Sequence, residues 1–139
     1  LRTSWLYSTF GNNFVKTMIR LGKERERLNV IFDQIGTPTY AGDLAKMIMT
    51  IIDSGTFIPG VYNFSNEGVC SWYDFTKTIH RIAGITTCKV MPIEGREYPS
   101  RAIRPYYSVM NKRKIKETYA VSIPYWEESL VKCINLLMK

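Results

Sequence analysis

The chain has 139 residues, 45% of them hydrophobic and 22% charged, an ordinary globular mix in a length sufficient for one domain. It holds no run of about 18 apolar residues, so nothing in it spans a membrane as a helix, and no basic segment leading into an apolar one, so no signal peptide is visible. The net charge of +7, from 19 Lys and Arg against 12 Asp and Glu, favours polyanions: nucleic acid, anionic lipid or phosphorylated small molecules.

Residues 1–7 are apolar and aromatic, and predict the end of a buried strand that opens straight into a site. A chain that starts in a core strand is expected to be the back half of something larger. Residues 8–12, with Gly11, predict a loop, and Asn12 or Asn13 can cap the helix that follows, because a short amide oxygen accepts orphan N–H groups. That helix is expected to reach about Arg27. Phe14, Met18 and Leu21 recur on one face, as do Val15 and Ile19, with Lys16, Arg20, Lys23 and Arg27 opposite.

Residues 28–32 predict a strand and 33–39 a loop, with Thr39 capping a second helix and Asp43 in its first turn. Leu44, Met47, Ile48, Ile51 and Ile52 follow the i, i+3, i+4, i+7, i+8 pattern of a core-facing helix, which Ser54 and Gly55 end. Pro59 and Gly60 predict a turn before a strand at 61–64. Ser71 and Asp74 approach a capping box, starting a helix that runs to Ala83 with Gly84 as its left-handed C-cap.

Residues 89–93 predict another strand and 94–107 a long loop of the kind that often carries function. Asn111 is expected to cap a short helix through Thr118. Ser122 and Pro124 start the last helix, which places Trp126, Leu130, Ile134 and Leu137 on one face. The alternation of short strands and helices predicts an α/β fold over residues 1–139, with no internal repeat and no linker dividing it.

Cys70, Cys88 and Cys133 fit no metal or redox spacing and read as buried, reduced thiols of a cytosolic protein. No glycine-rich phosphate loop of the dinucleotide or P-loop kind is present, so these residues do not supply one to a nucleotide cofactor. Tyr73 and Lys77 match a Y-x-x-x-K spacing, which in short-chain reductases lets a lysine lower a tyrosine pKa. A five-residue pattern with two fixed positions recurs by chance, and this pair reads as part of an ordinary helix. His80, the single histidine, has no ligand-spaced neighbour and reads as a surface or packing residue.

Two loops are site-like. Residues 33–39 lie after a strand and before a helix, where α/β proteins bind ligands; Gln34 and Thr39 offer hydrogen bonds, although a plain capped turn accounts for them equally. Residues 101–108 place Arg101, Arg104, Pro105, Tyr106, Tyr107 and Ser108 together, which suits phosphate oxygens and bases, or leaves two solvated arginines. Trp5 is either a core residue or a flat wall for a sugar ring. Asn13 and Phe14 start a helix, where N–H groups favour phosphate.

In order, Arg2-Thr3-Ser4-Trp5-Leu6-Tyr7, Gly11-x-Asn13-Phe14-Val15, Asp33-Gln34-x-Gly36-x-Pro38-Thr39 and Arg104-Pro105-x-x-Ser108 resemble the C-terminal half of the dTDP-4-dehydrorhamnose reductase family, extended short-chain dehydrogenases/reductases. The resemblance covers essentially the whole chain. Ser8 and Met110 depart from the family's usual Gly and Leu. It implies late strands of a Rossmann sheet plus the small substrate-binding lobe. It also implies reduction of dTDP-4-dehydro-L-rhamnose to dTDP-L-rhamnose with NADPH or NADH, with Mg2+ possible in the family. The catalytic residues and the cofactor loop would lie upstream of Leu1, so that the chain alone holds no cofactor and does not catalyse.

Carried over by motif, Trp5 would line the deoxysugar. Asn13, Phe14, Gln34, Pro38 and Thr39 would line the nucleotide-sugar pocket, Arg104 would pair with the diphosphate, and Ser108 would support that loop. Thr3 and Ser4 would lie near the cofactor. The implied partner is a dTDP-sugar, with no nucleic acid and no membrane, in the cytoplasm. A free sheet edge would favour self-association. A related nucleotide-sugar epimerase or dehydratase is the competing enzyme reading, and a basic nucleic-acid-binding module the competing binding reading.

Overall fold

A computed structural model of the chain describes residues 1–99 and 102–139. In chain order the elements are β1 (Leu6–Tyr7), α1 (Phe14–Glu24), β2 (Arg27–Ile31), β3 (Ile35–Gly36), β4 (Thr39–Tyr40), α2 (Ala41–Asp53), β5 (Cys70–Ser71), α3 (Trp72–Ile82), β6 (Lys89–Ile93), a 3-10 turn (Gly95–Glu97), α4 (Arg113–Tyr119) and α5 (Trp126–Leu137).

The first seven residues are extended but do not form one strand. Trp5 has φ +46°, a left-handed conformation that a bulky residue rarely enters, and it breaks the ladder in two. Before it, Arg2 makes a single parallel bridge to Asn63; after it, β1 pairs in parallel with β4. The strand expected at 61–64 contracts to that one bridge. The Arg2 N–H donates to the Tyr62 carbonyl and the Phe64 N–H to the Arg2 carbonyl, each at 2.8 Å.

Asn13 caps α1 as its type predicts, its Oδ1 accepting from the Lys16 N–H at 3.2 Å. The helix stops at Glu24 rather than near Arg27. Arg25 turns extended, and Arg27 is already paired with Lys89 in the β2–β6 ladder, whose parallel register runs from Arg27↔Lys89 to Ile31↔Ile93. Leu28, Val30 and Val90 point into the core from this ladder. The helix and the strand compete for the same residues, and five paired residues outweigh one more helical turn.

Thr39 does not cap α2. Tyr40 holds the cap position, and the Thr39 hydroxyl is buried without a hydrogen-bond partner. The end of the helix is instead satisfied from far away in sequence: Asn66 Oδ1 accepts from the Tyr40 N–H at 2.8 Å. The Asn66 amide donates to Asp43 at 2.7 Å, to the Pro124 carbonyl at 3.2 Å and to Ser129 at 3.0 Å. Asp43 lies in the first turn as expected, but its carboxylate serves this network.

The apolar stripe of α2 is not wholly core. Met47 is buried and Leu44 and Ile51 partly so, against Tyr62, Phe64, Ile115 and Ile123; Ile48 and Ile52 are 43% and 64% exposed. The stripe is wider than the surface that the rest of the chain offers it.

Ser71 and Asp74 form a full capping box on α3, and Gly84 takes φ +68° just beyond its end. At α4, Asn111 accepts from the Arg113 N–H at 2.8 Å while Lys112 holds the cap position, one residue later than expected. α5 starts at Trp126, past Ser122 and Pro124, and buries Trp126, Leu130 and Ile134. These join Tyr7, Val15, Phe75 and Ile79 in the larger of two hydrophobic clusters.

His80 is a packing residue. Its Nε2 lies 3.0 Å from the Met18 carbonyl, so that nitrogen carries the proton, and Nδ1 is buried without a partner. Burial holds its pKa below a histidine's usual value, against the raising effect of that hydrogen bond. All three cysteines are free and buried, and burial raises each thiol pKa, that of Cys133 to about 11.

Candidate functional site

A cavity of about 1010 Å³ opens between α1, β2 and residues 95–98 and 102–106. Its inner side is apolar because two amphipathic elements turn toward it: Phe14, Met18 and Leu21 from α1, and Leu28 and Val30 from β2. Trp72, the first residue of α3, closes one end. Phe14 and Trp72 pack against each other there, with ring centres 4.6 Å apart.

The outer wall is Tyr98, Ile103 and Tyr106, all exposed. Among the described residues four arginines line it: Arg25 and Arg27 just before and at the start of β2, and Arg96 and Arg104 from the outer wall. Arg96 pairs with Glu94, and Arg27 donates to Asn29 Oδ1 at 3.3 Å. Asn29 and Gln34 supply neutral hydrogen-bonding groups. Aromatic faces, amides and several fixed positive charges around one hollow suit a flat heterocycle joined to phosphate.

Of the candidate site residues singled out from the sequence, Phe14, Gln34, Arg104 and Tyr106 line this cavity. Ser108 lies behind it, donating through both its N–H and its hydroxyl to the Ile35 carbonyl at 2.9 and 3.2 Å. Trp5 is half-buried and stacked on Trp72, with ring centres 3.5 Å apart and planes 11° apart. Its edge lies so close to Gly36 that a Cβ there would sit 2.6 Å from the indole.

Asn13 spends its amide locally, accepting from Lys16 and donating to the Ser8 carbonyl at 2.7 Å. Pro38 and Thr39 are buried. Ser4 donates to the Thr37 carbonyl at 3.1 Å, and Thr3 is exposed. Arg101 falls outside the described residues. Tyr73 and Lys77 are not on the cavity.

Several lining residues were not singled out from the sequence. Trp72 had a signal, an aromatic residue directly after a capping serine. Arg25 and Asn29 also line the cavity and carried no comparable signal.

Positive charge also gathers at Lys112 and Lys116, which both pair with Glu67, at 3.1 and 2.9 Å. Burial pushes the Glu67 carboxyl up, but hydrogen bonds from Lys116 and Lys112 outweigh it and hold the group below its usual range. Lys112 is itself buried and donates to the Asn66 carbonyl at 2.7 Å, so this cluster braces the fold. Among the described residues no group of three or more His, Cys, Asp or Glu is gathered as a metal site, and no helix is long and apolar enough to cross a membrane.

Comparison with known proteins bears directly on this cavity. A family model described as the RmlD substrate binding domain matches residues 1–138. The chain is 39% identical over 130 residues to the spore coat polysaccharide biosynthesis protein SpsK of Bacillus subtilis strain 168, covering 94% of this chain and 44% of that protein. It is 38% identical over 146 residues to a dTDP-4-dehydrorhamnose reductase of Sinorhizobium fredii, covering 99% of this chain and 49% of that one.

Among solved structures, a dTDP-4-dehydrorhamnose reductase from Bacillus anthracis strain Ames, in complex with NADP, superposes with a TM-score of 0.90. It has 44% identity over 97% of this chain and 47% of that one. The α/β architecture expected from the sequence is thus that of a known reductase structure. The chain spans about half the length of the curated relatives it matches.

Proposed function

The chain belongs to the RmlD substrate binding domain family, and from that premise we propose that it is the nucleotide-sugar-binding part of a dTDP-4-dehydrorhamnose reductase. The reaction is reduction of the 4-keto group of dTDP-4-dehydro-L-rhamnose to the alcohol of dTDP-L-rhamnose. The observation that carries the reading is the cavity between α1, β2 and residues 95–98 and 102–106, where aromatic faces and amides meet Arg25, Arg27, Arg96 and Arg104.

In this reading Phe14 and Trp72 flank the base, Gln34 hydrogen-bonds the nucleotide-sugar, and Arg104 neutralises the diphosphate. Trp5, stacked on Trp72, presents its remaining surface to the deoxysugar. Asn13 preorganises the start of α1, Pro38 and Thr39 back the loop that presents Gln34, and Ser108 holds the Arg104 loop. The basic surface draws in a ligand with two phosphates.

NADPH or NADH supplies the hydride to the carbonyl carbon. The residues present fit only the margin of such a cofactor: Thr3 is exposed and free to lie beside it, Ser4 is spent on Thr37, and the sequence has no glycine-rich loop to cradle a pyrophosphate. Binding and orienting the sugar nucleotide is therefore the work we assign to these residues, and no step of proton or hydride transfer is assigned to them. The reading places the protein in the cytoplasm, where reduced cofactor is supplied. β1 pairs only with β4 among the described residues, and we propose that its other edge associates with a second copy of the isolated chain.

Titration of dTDP into the isotope-labelled chain tests the site: amide shifts at Phe14, Gln34 and Arg104 are expected, and a folded chain that ignores dTDP would refute it. No NADPH consumption is expected from these residues alone.

A further inference from the structure

We propose that Asp33 is a positioning residue that clasps the outer wall of the cavity in place through the backbone of Gly95; the inference takes its ligand from the nucleotide-sugar reading, but the clasp itself does not depend on it. The side chains described in the wall are largely open to solvent. Tyr98, Arg104 and Tyr106 are exposed and Ile103 is fully so, so burial of these side chains does not fix the segment. Among the described residues, ties to the rest of the fold are seen at both of its ends.

Both ends are tied to the same short stretch. At the far end the Ile35 N–H donates to the Tyr106 carbonyl at 2.7 Å and the Ser108 N–H to the Ile35 carbonyl at 2.9 Å. These are backbone bonds that many sequences could make. At the near end the tie is a side chain: the Gly95 N–H donates to Asp33 Oδ1 at 2.8 Å, a bond to a carboxylate and so among the stronger kinds.

The turn beyond it is stiffened internally, Glu97 accepting from the Glu94 N–H and Glu94 pairing with Arg96. Holding Gly95 therefore holds Arg96 at the opening. The approach also depends on glycine. A Cβ at residue 95 would lie 3.0 Å from Gln34 Nε2 and 3.2 Å from Asp33 Oδ1. One contact thus sets Gln34, on the inner side of the cavity, against Arg96 on the outer side.

The test uses the chain with Asp33→Ala, Asp33→Asn and Gly95→Ala, reading amide hydrogen exchange without ligand and dTDP affinity by calorimetry. For Asp33→Ala the Gly95 amide is expected to lose protection about 10-fold or more, and dTDP binding to weaken by about 10-fold, the scale of one hydrogen bond to a charged group. The amides of Val15, Ile79 and Leu130 should stay protected. Asp33→Asn keeps an acceptor and should remain within about 3-fold of the parent chain.

Gly95→Ala, with the Asp33 carboxylate intact, forces Gln34 Nε2 or Asp33 Oδ1 to give by a few tenths of an ångström. It should weaken dTDP binding in the same direction as Asp33→Ala though by less, which keeps the test open if the latter fails to fold. Unchanged Gly95 protection in Asp33→Ala would overturn the clasp. So would dTDP binding that neither alanine variant weakens, or an Asp33→Asn variant as impaired as Asp33→Ala. If the unaltered chain does not bind dTDP, the functional reading falls, and the exchange of Gly95 alone decides the clasp.

Discussion

Gly22→Ala is expected to destabilise the chain, and to stabilise it once His80 is gone. Gly22 lies inside α1, where alanine is intrinsically favoured by about 0.5–1 kcal/mol. Against that gain, a Cβ at Gly22 would sit 2.5 Å from His80 Nε2 and 2.8 Å from its Cε1. The ring cannot swing aside, since it is 4% exposed and bonded to the Met18 carbonyl. Overpacking of this kind costs about 1–3 kcal/mol, and losing the ring's hydrogen bond adds about 1 kcal/mol. The clash wins, and the net loss is about 1–3 kcal/mol.

In a His80→Ala background nothing remains to clash, and the same substitution should gain about 0.5–1 kcal/mol. Urea unfolding of the four chains, with a common slope, gives the cycle. A Gly22→Ala chain as stable as its parent, or an equal cost in both backgrounds, would refute the packing argument.

Asn66→Ala should cost about 2 kcal/mol in the same unfolding assay, because it strands the half-buried Tyr40 N–H and removes a donor from Asp43; a loss under about 0.5 kcal/mol would contradict the network. Burial lowers the pKa of His80, so below about pH 6.5 the unfolded chain binds a proton that the folded chain refuses. Stability is then complete above that pH and falls as pH drops through it. Urea midpoints from pH 8 to pH 5.5 should show the fall, and His80→Gln should remove it. Arg104→Ala should weaken dTDP binding by about 10-fold and leave thymidine binding nearly unchanged, as a phosphate contact requires; equal losses for both ligands by calorimetry would argue that it shapes the wall instead.

What the sequence made legible was local. Asn13, the Ser71–Asp74 box and Gly84 mark helix ends because each acts on backbone groups within a few residues. The ladder strand expected at 28–32 was legible from its branched residues and runs from Arg27 to Ile31. Where the partner is distant, sequence reasoning failed. The start of α2 depends on Asn66, 26 residues away, and nothing near Thr39 reports it. The stripe on α2 was read as core because periodicity shows which residues are apolar but not how much surface faces them. The strand at 61–64 is reduced to the single Arg2–Asn63 bridge, which branched residues in the sequence do not foretell.

The candidate site divides in the same way. In the Asp33-Gln34-x-Gly36-x-Pro38-Thr39 motif, a single side chain, Gln34, lines the cavity. The others build what surrounds it: Asp33 accepts from Gly95, Gly36 leaves room for the Trp5 edge, and Pro38 and Thr39 are packed inside. Between them Thr37 donates to the Gly68 carbonyl at 2.8 Å. Residue types in a loop like this are constrained more by the loop's own shape than by the ligand. A motif read residue by residue as a list of ligand contacts therefore assigns too many of them. It also passes over residues that reach the cavity from elsewhere, such as Trp72 on α3 and Arg25 beyond the end of α1, whose place follows from how α1 packs on α3 and β2 pairs with β6.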